Sequence, residues 1–310
     1  MGGIKLKGQS FTDCPTALEI DSKTFYENTE HFHKLFWLLF YEKVTRVLFI
    51  KNHSEVINMW ELYDALIDGI DADATVDFLA CGAELAIVQS GEGTGVSANV
   101  NESWRQPLLK TKTAGMKLRD LAACVKSWEY YEAALGHAAI NAWYNSALRL
   151  RAQGLNISDK AFVEDRANDP FITLQREVKD KNVTVIGHFP YIDQLFAPVC
   201  NMSIVEKFNP KEGDYPEQAA EYLIPESDYV FISSYSFVEK TLPHYLELAK
   251  NAVVTLVGPA TTVAPQLFDF GVDYLAGYVV KDGDLARSVA LGIGGNIHGT
   301  GQKVNLKRRG

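Results

Sequence analysis

The residue whose type and position could do most chemistry is His188. It follows the apolar, β-branched run VTVIG at 183–187 and leads into Phe189 and Pro190. A strand that stops at a glycine beside an imidazole opens many ligand sites in α/β proteins. Glu206, Asp214 and Cys200 lie within reach along the chain. Imidazole and carboxylate donors suit zinc, iron, cobalt or nickel, so the cofactor expected here is a divalent transition metal, with His188, Glu206 and Asp214 as its ligands. No His-x-x-x-His or paired-cysteine spacing accompanies them. His188 therefore stays open between a metal ligand, a general acid or base, and a loop histidine held by hydrogen bonds.

A nucleotide-type ligand is the alternative. The G-x-G-x-x-G loop of dinucleotide folds is absent: a single Gly187 is followed by HFP, and Pro190 has no amide to offer a phosphate. Glu206 nevertheless sits about twenty residues on, where a ribose-binding carboxylate would stand. The GPATT stretch at 258–262 could hold an anion through its amides. These features fit a small-molecule transferase or lyase taking a ligand such as S-adenosylmethionine. The glycine-rich GEGTG at 91–95 lacks a following Lys-Ser/Thr and runs into a strand, which predicts a hairpin turn. Ser233 and Ser234 lack the G-x-S-x-G elbow, which excludes serine hydrolysis of that type.

These residues are positioned by an alternation of strand and helix from 183 onward. VTVIG, MSIVEKF (202–208), DYVFISS (228–234), AVVTLVG (252–258) and VDYLAGYVV (272–280) are nearly all apolar. Helices are expected near 191–198, 216–224, 240–250, 264–269 and 282–291. Apolar strands separated by helices imply a Rossmann-like parallel sheet covered on both faces. Ligands of such sheets bind at the carboxyl ends of the strands. Those ends carry Gly187 to Pro190, Glu206, Ser233 to Tyr235, and Gly258 to Thr262.

The preceding part reads differently. MWELYDALIDGI at 59–70 has apolar residues at helical spacing. Short strands are expected in 75–90 and 93–100, then helices at 117–126 and 129–151. On the second helix His137, Asn141 and Asn145 are four apart and share one face. That face either bonds to neighbouring loops or lines a cleft. Asp169-Pro170 reads as a turn or helix stop. The chain divides into a prefix at 1–58, a small α+β domain at 59–150, a polar connecting segment at 151–180 and the Rossmann-like domain at 181–310. In the prefix, VTRVLFI (44–50) looks like a strand.

With 310 residues and 47% hydrophobic content, the chain has ample material for two cores. A formal charge of −9 argues against nucleic acid as a partner. The basic tail KVNLKRRG reads as a solvated terminus. The four cysteines, Cys14, Cys81, Cys124 and Cys200, are scattered, which suits a reducing cytoplasm and small buried hydrophobes. The opening MGGIKLKGQS lacks a signal-peptide core. The densest apolar run, LFWLLFY at 35–41, is far shorter than the ~20 residues that span a bilayer. A cytoplasmic location, no membrane partner and a small molecule or metal ion as ligand are therefore expected. A homo-oligomer is compatible with each of these readings.

The segments VKSWEYYEAALGHAAINAWYN, VEDRANDPF, VIGHFPYI, EGDYPEQAAEYLIPESDYV, KTLPHYLELAKNA and TLVGPATTVAPQLFDFGVDYLAGYVVKD, in that order, extend the match begun by MWELYDALIDGI and closed by GQKVNL. Together they resemble a family described as "putative heavy-metal chelation". The resemblance starts at Met59 and leaves the prefix outside it. It implies an enolase-N-terminal-like domain fused to a Rossmann-like domain, with the functional site in the cleft between them. It also implies a role with a heavy or transition metal, or a metal-linked small molecule, and it names no reaction. The cleft positions it implies are Glu132, Asn141 and Asn145 from the first domain. From the second they are Gly187, His188, Phe189, Pro190, Asp214, Ser233, Gly258, Pro259 and Thr261.

Overall fold

The computed structural model describes residues 59–309 apart from 101–108, 110–112 and 165. They belong to one compact unit, Asn58–Gly310. The strand and the apolar run read in the prefix, and Cys14, lie outside the described residues. The protein is mixed α/β, built on a three-stranded antiparallel sheet and a six-stranded, mostly parallel one.

Helix α1, Glu61–Asp68, buries Leu62, Tyr63, Leu66 and Ile67, the face its spacing marks. Strands β1 (Phe78–Cys81), β2 (Leu85–Ser90) and β3 (Gly93–Ala98) form the small sheet in chain order. The GEGTG stretch is the expected hairpin. Ser90 pairs with Gly93, and Gly91 takes the positive φ of 54° that a two-residue turn requires. Its later glycines have a separate purpose. A Cβ on Gly95 would lie 2.0 Å from the Ala138 carbonyl oxygen and the Ala142 nitrogen. Strand β3 thus lies directly against the backbone of a helix.

After the short helix α2 (Leu118–Ala122), that helix is α3, Tyr130–Tyr144, buried on nearly every side. A helix apolar all round belongs inside a protein. It stops at Asn145. Ser146 caps a separate helix α4, Ala147–Ala152, by accepting from the Arg149 amide, so the expected single helix over 129–151 is two. Ser146 offers the backbone a local alternative to continuing the helix.

Asp169 starts a helix rather than stopping one. Its carboxylate accepts from the Phe171 amide at 3.1 Å, and Pro170 takes the first position of α5, Pro170–Thr173. The large sheet follows. Its strands are β4 (Asn182–Ile186), β5 (Asn201–Val205), β6 (Tyr229–Ser233), β7 (Val253–Val257), β8 (Tyr274–Val280) and β9 (Gly301–Lys307), in the order β5-β4-β6-β7-β8-β9. The interleaved helices are α6 (Ile192–Phe196), α7 (Ala220–Leu223), α8 (Tyr235–Glu239), α9 (Leu242–Leu248) and α10 (Gly283–Ala290). The segment at 216–226 is mostly 3₁₀ on either side of α7, and 265–270 is 3₁₀ throughout.

Strands β4 to β8 are parallel; β9 runs antiparallel to β8. The supposed solvated tail is therefore an edge strand. Val304 is buried, and the Lys303 ammonium meets the buried Asp169 carboxylate at 2.6 Å. Chain order reverses at β4, whose neighbours are β5 on one side and β6 on the other. Such a reversal leaves a crevice at the carboxyl ends of the strands. Here Gly187, at φ 96°, lets the loop after β4 pass close to Ser233: a Cβ would lie 3.1 Å from the Ser233 Cβ.

Gly95→Ala should force β3 off α3 and lower stability by about 3 kcal/mol or prevent folding. Denaturant unfolding against wild type measures this. A variant as stable as the parent would contradict the contact.

Candidate ligand-binding cleft

At that reversal the structure opens a cavity of about 790 Å³. One wall is Ile186 to Pro190 after β4, with Val205 to Asn209 and Lys211 after β5. A second is Ser233, Tyr235, Ser236 and Glu239, at β6 and α8. The third comes from the small sheet: Glu84, just before β2, and Asn99 and Val100, just after β3. Gly187, His188, Phe189, Pro190, Glu206 and Ser233 are thereby brought together.

His188 is held on all sides. Its amide donates to the Glu206 carboxylate at 2.8 Å. Its Nδ1 lies 2.9 and 3.0 Å from the two oxygens of Asp214, and the side chains of His188 and Asp214 are 6% and 4% exposed. An ionised carboxylate only accepts, so the proton of this contact is on Nδ1. Nε2 lies 2.6 Å from the Lys211 ammonium, from which it can only accept, and 3.0 Å from the Asp193 carboxylate, to which it can only donate. One of the two is therefore a hydrogen bond at a time. Lys211 and Asp193 are half exposed, at 54% and 51%. The buried partner fixes the ring; the exposed ones can give way.

The carboxylate of Glu206 is occupied. One oxygen accepts from His188 and the other from the amides of Phe208 and Asn209, at 2.7 and 3.2 Å. It organises the loop after β5, which takes it away from both a metal and a ribose. Asp214 turns both oxygens to His188 and also accepts from the Lys211 amide at 2.7 Å. Among the described residues no group of three or more His, Cys, Asp and Glu side chains is placed to hold a metal ion. Burial pushes the Cys81, Cys124 and Cys200 thiols up to about 11, so they stay protonated. The residues present do not fit a resident ion bound by protein side chains alone. What they provide is one oriented imidazole nitrogen beside a mobile ammonium.

The other positions implied by the resemblance lie in the interior. Glu132, on α3, accepts from the Ser127 hydroxyl at 2.7 Å and the Leu109 amide at 2.6 Å. Asn141 donates to the carbonyls of Val96 and Ala260, both at 2.8 Å, and accepts from the Thr262 hydroxyl at 2.6 Å. Asn145 donates to Thr261 at 2.9 Å and accepts from the Val263 amide at 2.8 Å. Gly258 is strained to φ 134° against Ser234, and half-buried Pro259 shares its loop with the buried Thr261. The stripe on α3 faces this loop and β3, not the cavity. His137 completes it, with Nδ1 2.9 Å from the Ser97 hydroxyl and Nε2 3.2 Å from that of Thr262. Because the Thr262 hydroxyl donates to Asn141, it accepts from Nε2–H, which leaves Nδ1 as an acceptor for the Ser97 hydroxyl, shared with the Ala98 carbonyl at 3.2 Å.

Comparison with known proteins agrees with this architecture. Residues 63–144 and 169–307 match the family models DUF4213 and DUF364, both described as "Putative heavy-metal chelation". A crystal structure of a DUF364-family protein of unknown function from Desulfitobacterium hafniense is 47% identical. Its TM-score is 0.75, over 81% of this chain and 99% of that one. The chain belongs to the DUF364 family. A second DUF364 structure, from Pyrococcus horikoshii, has a TM-score of 0.67 at 20% identity over the same 81% and 99%, and shares the fold. An uncharacterised protein of Methanocaldococcus jannaschii is 26% identical over 214 residues, 67% of this chain and 73% of that one. Among the described residues no helix is long and apolar enough to cross a membrane.

Sequence reading missed Glu84, Asn99, Asp193 and Glu239 as wall or ring-holding residues of this DUF364 protein, while Tyr235 stands among the strand-end residues it marks. Only Asp193, five positions after His188, had a sequence signal available. The others come together through the sheet and α8.

Burial, and then the nearby Lys240 cation, push the His137 imidazole down to about 3 from its ordinary 6.5. Its folded form stays neutral while the unfolded chain takes up a proton below about 6.5. Its contribution is thus intact above that pH and is lost as pH falls towards 3, at up to about 1.4 kcal/mol per unit. The stability gap between wild type and His137→Gln should shrink by roughly 2 kcal/mol from pH 7.5 to 5. Denaturant unfolding at both pH values checks it, and an unchanged gap would show that His137 protonates in the fold.

Proposed function

We propose that this protein binds a transition metal delivered as a small organic chelate, with His188 Nε2 as the protein's own donor to the metal. One observation carries the reading: a buried carboxylate, Asp214, holds Nδ1 of His188, a residue in the wall of a cavity of about 790 Å³. A carboxylate behind an imidazole is the usual outer partner of a metal-bound histidine. The cavity is the size of sites that take whole organic molecules. A metal already carrying most of its ligands needs only one or two more, which resolves the poor fit to a bare ion. Lys211 would then swing from Nε2 to the acidic groups of the chelator. The family description, heavy-metal chelation, supports the same reading.

Isothermal titration with nickel(II) nitrilotriacetate, which leaves coordination positions open, is the direct test. Wild type should bind it, His188→Ala should not, and Asp214→Asn should weaken binding by about 10–100-fold. Equal binding by wild type and His188→Ala, or none by wild type, would overturn the proposal.

A further inference from the structure

The wall contributed by the small sheet carries chemistry that His188 does not use. Asn99 is 4% exposed and lines the cleft. Its side-chain nitrogen donates to the Gly82 carbonyl at 2.7 Å and lies 3.5 Å from that of Ala83. Those carbonyls fix the amide's orientation, since the opposite one would set oxygen against oxygen. The other end of the amide, Oδ1, is buried and has no donor among the described residues. A buried acceptor without a donor is costly, and a cleft-lining one is satisfied by an N–H or O–H of a ligand.

Glu84 stands beside it. The Asn99 amide donates to the Glu84 carbonyl at 2.9 Å, extending the register in which Leu85 faces Ala98. Residues opposed across antiparallel strands project from the same face. Across the cleft, Tyr235 and Glu239 come from α8, and Phe208 lies 6.2 Å from the Tyr235 ring. Burial and then the charges of Glu84, Glu206 and Glu239 push the Tyr235 phenol up. Burial and then Glu217 and Glu239 do the same for Tyr245, a second cleft phenol. The lining holds four glutamates against two lysines, and one of those lysines, Lys207, already meets Glu239 at 2.9 Å. The lining as a whole thus holds more carboxylates than ammonium groups.

We infer that this wall is a recognition subsite for a protonated amine, with Asn99 Oδ1 accepting its N–H, Glu84 balancing its charge and Tyr235 and Phe208 as its aromatic neighbours. The occupant must donate hydrogen bonds, carry positive charge and tolerate aromatic neighbours, which an ammonium does. A hydroxyl would satisfy Asn99 but not the carboxylates. Combined with the chelate reading, on which this extension rests, the ligand is an aminocarboxylate: its carboxylates and metal lie at Lys211 and His188, and its free amine at Glu84.

The test compares nickel(II) nitrilotriacetate with derivatives bearing a primary amine on a two- to four-carbon arm, and includes the metal-free amine-bearing chelators. One amine-bearing chelate should bind wild type at least about tenfold tighter than the plain one, the effect of a charged hydrogen bond. Glu84→Gln and Asn99→Ala should abolish the advantage, read in each variant as the ratio of amine-bearing to plain-chelate affinity. Glu84 is exposed, so its variant keeps the fold. Equal affinity for plain and amine-bearing chelates would overturn the subsite and leave the chelate proposal standing. If neither chelate binds, the metal reading fails and the metal-free arm decides. Stabilisation of wild type but not of Glu84→Gln by the metal-free amines would uphold the subsite, and no difference would overturn it.

Discussion

Everything in this protein depends on a polar seam inside an apolar helix. Helix α3 packs against β2 and β3 of the small sheet, while Ile87 and Val96 of that sheet meet Tyr278 and Val280 of the large one. His137, Asn141 and Asn145 run along the helix. Their side chains bond to β3 on one side and to the loop after β7 on the other. Apolar contacts alone would let the sheets slide, because burial is non-directional. Hydrogen bonds at fixed distances, in a place where an unmade bond is expensive, allow one registration only. The glycines of β3 bring the strand onto the helix backbone and tighten the joint.

The cleft inherits its shape from that seam. Glu84 and Asn99 ride on the small sheet, and His188, Ser233 and Tyr235 on the large one, so the space between them follows the registration of the two sheets. Two distinct electrostatic ends result. At one, an imidazole backed by Asp214 faces the Lys211 ammonium. At the other, carboxylates gather around phenols and an undonated amide oxygen. Glu206 belongs to neither end; its oxygens are saturated by backbone amides that shape the loop after β5.

The large sheet was legible in the sequence because its strands are buried on both faces and read as apolar runs between helices. Strand β9 was not. Its inward Val304 alternates with Lys303 and Asn305, and a basic end reads as solvated unless the partner of Lys303, Asp169, is known. Helix α8 was missed because five residues, 235–239, carry too little periodicity. The stripe on α3 was visible as a face, but spacing gives a direction from the helix axis and not what lies there. Glu206 and Asp214 were equally plausible ligands on paper. Only the fold shows that one binds amides and the other an imidazole. Glu84 and Asn99 left no mark at all, since a lone glutamate and a lone asparagine are common and only their cross-strand pairing makes them neighbours.

The seam and the cleft share almost no residues. The side chains that register the two sheets are interior, on α3 and the loop after β7. Those facing the cavity stand largely on turns and strand ends: Glu84, Lys211, Tyr235 and the residues after Gly187. Substitutions in the second set change shape and charge of the cavity without touching the contacts that fold the chain. Ligand choice and foldability are thus separable traits in this architecture. The shape and charge of the cavity can be retuned on one unchanged frame.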